Sequence, residues 1–240
     1  MNVYQPYTIF PLGDSALTID FGNFISEELN KKVLEFYAQL KNREFPFIKD
    51  IIPAYGSLTV VYDGTLLYPE LKEDETVFET IAVIIENLSH KPVAVEQPRE
   101  IIRIPVCYSK RFAPDIEFLA EAKNMDVIDI INLHTSLKYR VYMLGFLPGF
   151  AYMGQVDERL SIPRKPQPRL NVAEGSVGIA GRQTGIYPLT SPGGWQLIGR
   201  TPQKIFDRKK QEPVFFRPGD EVEFYSINED EFKDYKARNS

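Results

Sequence analysis

Two periods of apolar spacing run along this chain, and the change from one to the other divides it. From Tyr7 to Phe21 β-forming residues dominate and are broken at Gly13-Asp14, which predicts two short strands joined by a turn. Behind Ser26, a residue suited to an N-cap, Leu29, Val33, Phe36, Tyr37 and Leu40 recur at helical spacing. Glu27, Glu28, Lys31, Lys32 and Lys41 fall largely between them, so a surface helix with one buried stripe is predicted. "IKDIIPAYGSLTVVYDG" gives two more strands across a Pro/Tyr/Gly turn. A second helix follows, with Val77, Phe78, Ile81, Ile84, Ile85 and Leu88 on one face and Asp74 and Glu75 near its positive end. Helices alternating with paired strands predict a small two-layer α+β domain of split-βαβ type.

The texture changes at "HKPVAVEQPRE", residues 90–100. "REIIRIPVCY" reads as a strand, "APDIEFLAEAKN" as a helix opened by Pro114 and Asp115, and "MDVIDIINLHTS" as a helix capped by Asp126. From Tyr139 onward glycine and proline recur every few residues between short β-rich runs, which predicts a closed or nearly closed barrel. The expected division is a small α+β domain over 1–93, a barrel domain over 94–228 and a charged, peripheral tail over 229–240.

Composition narrows the chemistry. The 240 residues carry a formal charge of -5 with both signs interspersed, so no footprint for a nucleic-acid backbone is present. One cysteine excludes an intrachain disulfide, and the chain has no secretory n-region and no membrane-length apolar run, so no membrane partner and a cytoplasmic location are expected. Two histidines, His90 and His134, with Cys107 alone, exclude the usual zinc sites, and no metal is expected. G-x-S-x-G, the Walker A loop and the dinucleotide fingerprint are all absent.

Four stretches stand out. "YMLGFLPGFAYMG" packs Phe146, Phe150 and Tyr152 among glycines and a proline, as a pocket wall, a partner surface or a hydrophobic bulge would. "IPRKPQPRLNVAEGSVGIAGRQTG" supplies Arg164, Lys165, Arg169, Arg182 and Gln183 on a proline-stiffened loop, suited to an anionic ligand or to a solvated basic rim. His134 ends a predicted helix, where the dipole should raise its pKa and hold it as an acid near neutrality, or where it is simply a cap. Trp195, the one tryptophan, follows Pro192-Gly193-Gly194 and reads as a core plug, a partner anchor or a pocket wall.

"GDSALTIDFG", "AYGSLTVVYD", "YMLGFLPGFAYMG", "PRKPQPR", "GSVGIAGRQTGIYP", "SPGGWQLIGRTP" and "FFRPGDEVEF" together resemble the family of allophanate hydrolase subunit 1 and the 5-oxoprolinase B subunit, from about residue 9 to 227. The resemblance implies a cyclophilin-like fold for the barrel, without prolyl isomerisation. It also implies two activities. One is ATP-dependent opening of 5-oxoproline to L-glutamate together with the A and C subunits, with ATP as co-substrate of the complex. The other is inhibition of autophosphorylation by a sporulation sensor histidine kinase.

For the first activity, a small cyclic amide bearing a carboxylate suits Arg164 or Arg169 as the clamp and Trp195 as a wall. Gln183 and the backbone of Gly193 and Gly194 would donate to the lactam oxygen, and His134 would be the proton-transfer group. The missing nucleophile and nucleotide loop imply a site completed by a partner, so the isolated chain should not turn over. For the second, Phe146, Phe150 and Tyr152 would dock on the kinase, with or without an enzymatic role beside it.

Overall fold

The computed structural model describes residues 7–22, 24–43, 45–71, 74–88 and 100–238. The chain divides into two compact units, Met1–Gln97 and Pro98–Ser240. The expected boundary at residue 93 and His90 lie outside the described residues.

In the first unit, strands β1 (Thr8–Pro11), β2 (Ala16–Asp20), β3 (Ile48–Pro53) and β4 (Ser57–Tyr62) form one sheet in the order β1-β2-β4-β3. β4 pairs antiparallel with both β2 and β3, so those two run parallel with β4 inserted between them. Helix α1 (Glu27–Lys41) links them, which makes the split βαβ unit that the apolar spacing predicts. Ser26 Oγ accepts from the Leu29 N–H at the start of α1, and Val33, Phe36 and Leu40 are buried on its inner face. Helix α2 (Val77–Leu88) buries Ile81, Ile85 and Leu88. Its start is fixed by a capping box, in which Thr76 Oγ1 accepts from the Glu79 N–H at 3.2 Å and Glu79 Oε2 accepts from the Thr76 N–H at 2.9 Å. One core containing Leu17, Ile19, Leu58, Val60 and these helix residues closes the unit.

The second unit is a closed barrel of β5 (Ile102–Cys107), β6 (Lys138–Leu144), β7 (Ala151–Gly154), β9 (Ser176–Ala180), β10 (Gln183–Ile186), β12 (Gln196–Arg200) and β13 (Glu221–Ile227). Its cyclic order is β10-β7-β6-β13-β5-β12-β9, and only β13 against β5 is parallel. Two short strands, β8 (Arg169–Val172) and β11 (Ser191–Gly193), pair outside the barrel. Helices α3 (Ile116–Lys123) and α4 (Val127–Thr135) bury Ile116, Leu119 and Ile130 in the same core as Val106, Val141, Val177, Ile179 and Ile198. No helix among the described residues is long and apolar enough to cross a membrane.

The charged segment after residue 228 is a helix, α5 (Glu229–Arg238). Asn228 Oδ1 accepts from the N–H groups of Asp230 and Glu231, and Glu231 Oε2 accepts from the Asn228 N–H at 2.8 Å, so the segment carries its own N-terminal box. Phe232 is buried and stacks on Phe112 at 4.6 Å, which anchors it to the barrel unit.

Candidate functional site

Strand β9, "SVGIA", is buried at every position, which a one-sided strand is not. Val177 and Ile179 enter the barrel core, while its outer side is covered by a separate cluster of Phe150, Val172, Ala180, Tyr187, Trp195 and Leu197. Glycines make the room. A Cβ at Gly178 would stand 3.0 Å from the Trp195 Cβ, and one at Gly185 would stand 2.8 Å from the Ala151 carbonyl and 3.2 Å from the indole. Gly178 and Gly185 thus leave a recess for the tryptophan. Trp195 is 4% exposed and meets Phe150 edge-on at 5.3 Å and Tyr152 at 5.9 Å. Of the three meanings read from sequence, the core plug describes its burial best.

Over this aromatic cluster lies the loop from Ile162 to Arg169. Its first cation, Arg164, is exposed and sits 5.9 Å from the centre of the Trp195 ring. Among the described residues no carboxylate pairs with Arg164. Its neighbours differ. Asp115, buried at the N-terminus of α3, accepts from Lys165 Nζ at 3.1 Å and from Arg169 Nη2 at 2.5 Å through one oxygen, and from the Leu197 N–H at 2.7 Å through the other. Arg169 Nη1 is buried without a partner among the described residues. The expected choice between Arg164 and Arg169 as an anion clamp is therefore weighted by the fold: Arg169 spends its charge on Asp115, and Arg164 is open.

Two phenols border the guanidinium. Burial pushes the Tyr152 hydroxyl up from its ordinary pKa while Arg164 pulls it down. Burial also raises Tyr187, against the Trp195 N–H that its oxygen accepts and against the pull of Arg164 and Arg169. Both phenols stay protonated at neutral pH, and Tyr152, half-buried, is the one a ligand can reach, since Tyr187 is 1% exposed. One guanidinium, one accessible phenol and an aromatic edge can hold a small carboxylate-bearing ring.

The remaining predicted site residues distribute as follows. Gly193 is buried so closely on Tyr187 that a Cβ there would overlap the phenol oxygen, and the Gly194 carbonyl accepts from the Lys165 N–H at 2.7 Å. The Pro-Gly-Gly turn thus ties down the arginine loop. Gln183 opens β10, opposite Gly154 of β7. Phe150 is 1% exposed and belongs to the cluster, so its expected role as a direct partner contact is corrected by burial. Phe146 is 63% exposed and stands at φ +66 in a tight Gly145–Gly149 loop, and Tyr152 is half-buried.

His134 departs from expectation in sign. It is fully buried, stacked on Phe224 at 4.7 Å, and burial pushes its pKa down to about 3, overriding the helix dipole. Thr184 Oγ1 donates to the Gly178 carbonyl at 3.1 Å, so it accepts from His134 Nε2 at 3.0 Å. His134 Nδ1 then accepts from the Tyr108 hydroxyl at 2.7 Å. A neutral imidazole inside the barrel, with both nitrogens used, braces α4 against β10 and is placed to carry no proton to a ligand.

That placement has a pH consequence. The unfolded chain protonates His134 near its ordinary pKa of about 6.5 and the native state does not, so the unfolded state binds more protons below that pH. Stability present above about 6.5 is lost progressively as pH falls toward 3. Between pH 6.5 and 5 the wild type should lose about 2 kcal/mol more than His134→Gln in urea unfolding. Equal losses in the two proteins would contradict the buried neutral state.

Tyr187, Asp115, Tyr108 and Thr184 carry no functional signal in the sequence. Asp115 reads there as a helix opener, and only its contacts 50 and 54 residues downstream reveal its second task.

With the split βαβ unit and the closed barrel in view, residues 7–216 match the family model described as carboxyltransferase domain, subdomain C and D. The B subunit of 5-oxoprolinase from Bacillus subtilis (strain 168) is 42% identical over 236 residues, covering 98% of each chain. A conserved uncharacterized protein of known structure, PH0987 from Pyrococcus horikoshii, is 44% identical with a TM-score of 0.55, covering 94% of this chain and 100% of the other. The structure of TTHA0988 aligns with a TM-score of 0.75 at 34% identity, covering 89% of this chain, which spans 40% of that longer one. The chain belongs to the carboxyltransferase subdomain C and D family, among the 5-oxoprolinase B subunits.

Proposed function

We propose that this chain acts as the B component of an ATP-dependent 5-oxoprolinase, opening 5-oxoproline to L-glutamate with the A and C subunits. The observation that carries the reading is the unpaired Arg164 held over Trp195 beside Tyr152 and Tyr187, in a chain 42% identical along its whole length to a 5-oxoprolinase B subunit. Arg164 binds the substrate carboxylate with paired hydrogen bonds. The Tyr152 phenol donates to the amide oxygen as negative charge gathers there when the ring opens, and the aromatic cluster beneath, which includes Tyr187, keeps that donor fixed. Asp115 holds the loop, and the Pro-Gly-Gly turn fastens it from below. ATP drives the ring opening as co-substrate of the assembly, with the reacting nucleophile supplied from outside this chain. In the test, a tagged copy of the chain is mixed with the A and C subunits. It should retain both and confer 5-oxoproline binding on the assembly, and failure to retain either would count against the reading.

A second reading, inhibition of a sensor histidine kinase, is favoured by one observation. Phe146 is exposed although held in a left-handed backbone conformation that a bulky residue rarely adopts. A side chain kept outward at such a position suits an anchor for a helical partner. Phe146→Asn, which tolerates that conformation, should abolish any inhibition of kinase autophosphorylation while leaving the fold intact. Undiminished inhibition would remove Phe146 from the interface.

A further inference from the structure

The barrel unit carries a second concave surface that shares no lining residue with the Trp195 cluster. A groove of about 430 Å³ opens between α5, the turn before α3 and the end of β12, lined by Arg111, Phe112, Arg200, Phe232, Lys233 and Lys236. Four cations therefore converge on one recess in a chain whose formal charge is -5. Glu229 lies 3.7 Å from Arg111 and Asp230 lies 2.9 Å from Lys233, and with the two cations 69% and 64% exposed water weakens both pairs. Like charges gathered this closely repel one another and favour an anion among them.

The groove is also built rather than a chance of surface lysines. Arg111 and Arg200 lie 5.5 Å and 5.9 Å from the centre of the Phe112 ring, and Phe232 stacks on the same ring at 4.6 Å. Arg200 is fixed further by donating from Nε to the Glu174 carbonyl at 2.8 Å. Lys233 and Lys236 are one helical turn apart on the face of α5 that also presents Phe232. Two guanidinium forks and two ammonium groups in a space of small-molecule size suit several tetrahedral oxyanions in a row better than one carboxylate or an extended acidic peptide.

We propose that this groove binds the polyphosphate group of a small ligand of the nucleoside triphosphate class. The inference deepens the function proposed above, in which ATP is the co-substrate, by giving it a site on this chain; binding here needs neither partner subunits nor turnover, so its failure and the failure of that reading are distinguishable. The test is calorimetric titration of the purified chain with tripolyphosphate, with ATP and with a hexaglutamate peptide. Tripolyphosphate and ATP should both bind, and Lys233→Gln/Lys236→Gln should weaken each by at least about tenfold, the loss of one or two charge-assisted contacts. Arg111→Gln provides an independent variant outside α5 and should weaken them as well. ATP should bind at least as tightly as tripolyphosphate, and failure of ATP to bind where tripolyphosphate does would overturn the nucleotide class. Absence of binding by both phosphates, affinity unchanged in the lysine and arginine variants, or a preference for hexaglutamate over tripolyphosphate would each overturn the proposal.

Discussion

Alanine at Arg164 should lower kcat/KM for 5-oxoproline in the assembled complex by about a hundredfold, or about 2.7 kcal/mol of transition-state stabilisation. The size follows from the contact proposed for it, a charge-assisted, bidentate one to the substrate carboxylate, with no second open cation on the loop to replace it. Lys165 and Arg169 are next in line, and both are held by Asp115. A contact to an unreacting carboxylate acts on bound substrate and transition state alike, so most of the loss should fall on KM. Arg164→Lys keeps the charge but not the fork, and should recover only part of it. Steady-state kinetics on the three complexes distinguishes these outcomes; an Arg164→Ala complex with wild-type KM would move the carboxylate site elsewhere.

Asp115→Ala should have the largest effect on stability, about 3 kcal/mol, or roughly 6–12 °C in Tm for a chain of this size. Removing the carboxylate leaves the Leu197 N–H without its acceptor and two cations without their common counter-charge. The cations are 30% and 26% exposed, so water recovers part of the loss and the lower end of the range for a broken buried pair applies. Asp115→Asn keeps an acceptor for Leu197 and should cost about half as much. Because the same carboxylate sets the loop that carries Arg164, both variants should also raise KM for 5-oxoproline. Unfolding curves and kinetics together separate the two effects; a fully stable Asp115→Ala protein would contradict the geometry around α3.

Much of the architecture is legible in the sequence because it rests on local period. The stripe Val33, Phe36 and Leu40 and the alternation in β4 are buried as their spacing predicts, and the split βαβ unit follows from them. Turn density after Tyr139 likewise points to a barrel. What escapes depends on contacts distant in sequence. Nothing local in "SVGIA" says that both faces of β9 are covered, since the cover, Trp195, arrives after two further strands. A dipole argument misjudges His134 because it considers only the helix that residue ends, whereas burial by Tyr108, Tyr139 and Phe224 dominates its titration. The tail is a different case. Asn228 and Glu231 form a capping box visible in "NEDE", but high charge and few aliphatics point to fraying and hide both the box and the single anchor Phe232.

In the candidate site, the sequence singles out the arginine loop and Trp195 but not their division of labour. Two of three cations on the loop share one carboxylate about fifty residues earlier, and that is what leaves Arg164 as the open one. The most direct test of the central claim is ATP-dependent glutamate release from 5-oxoproline by mixtures of the A and C subunits with this chain. The account predicts glutamate from the complete mixture, none above background from this chain alone or from the A and C mixture, and restoration when the chain is added back. Undiminished glutamate formation without the chain would contradict it.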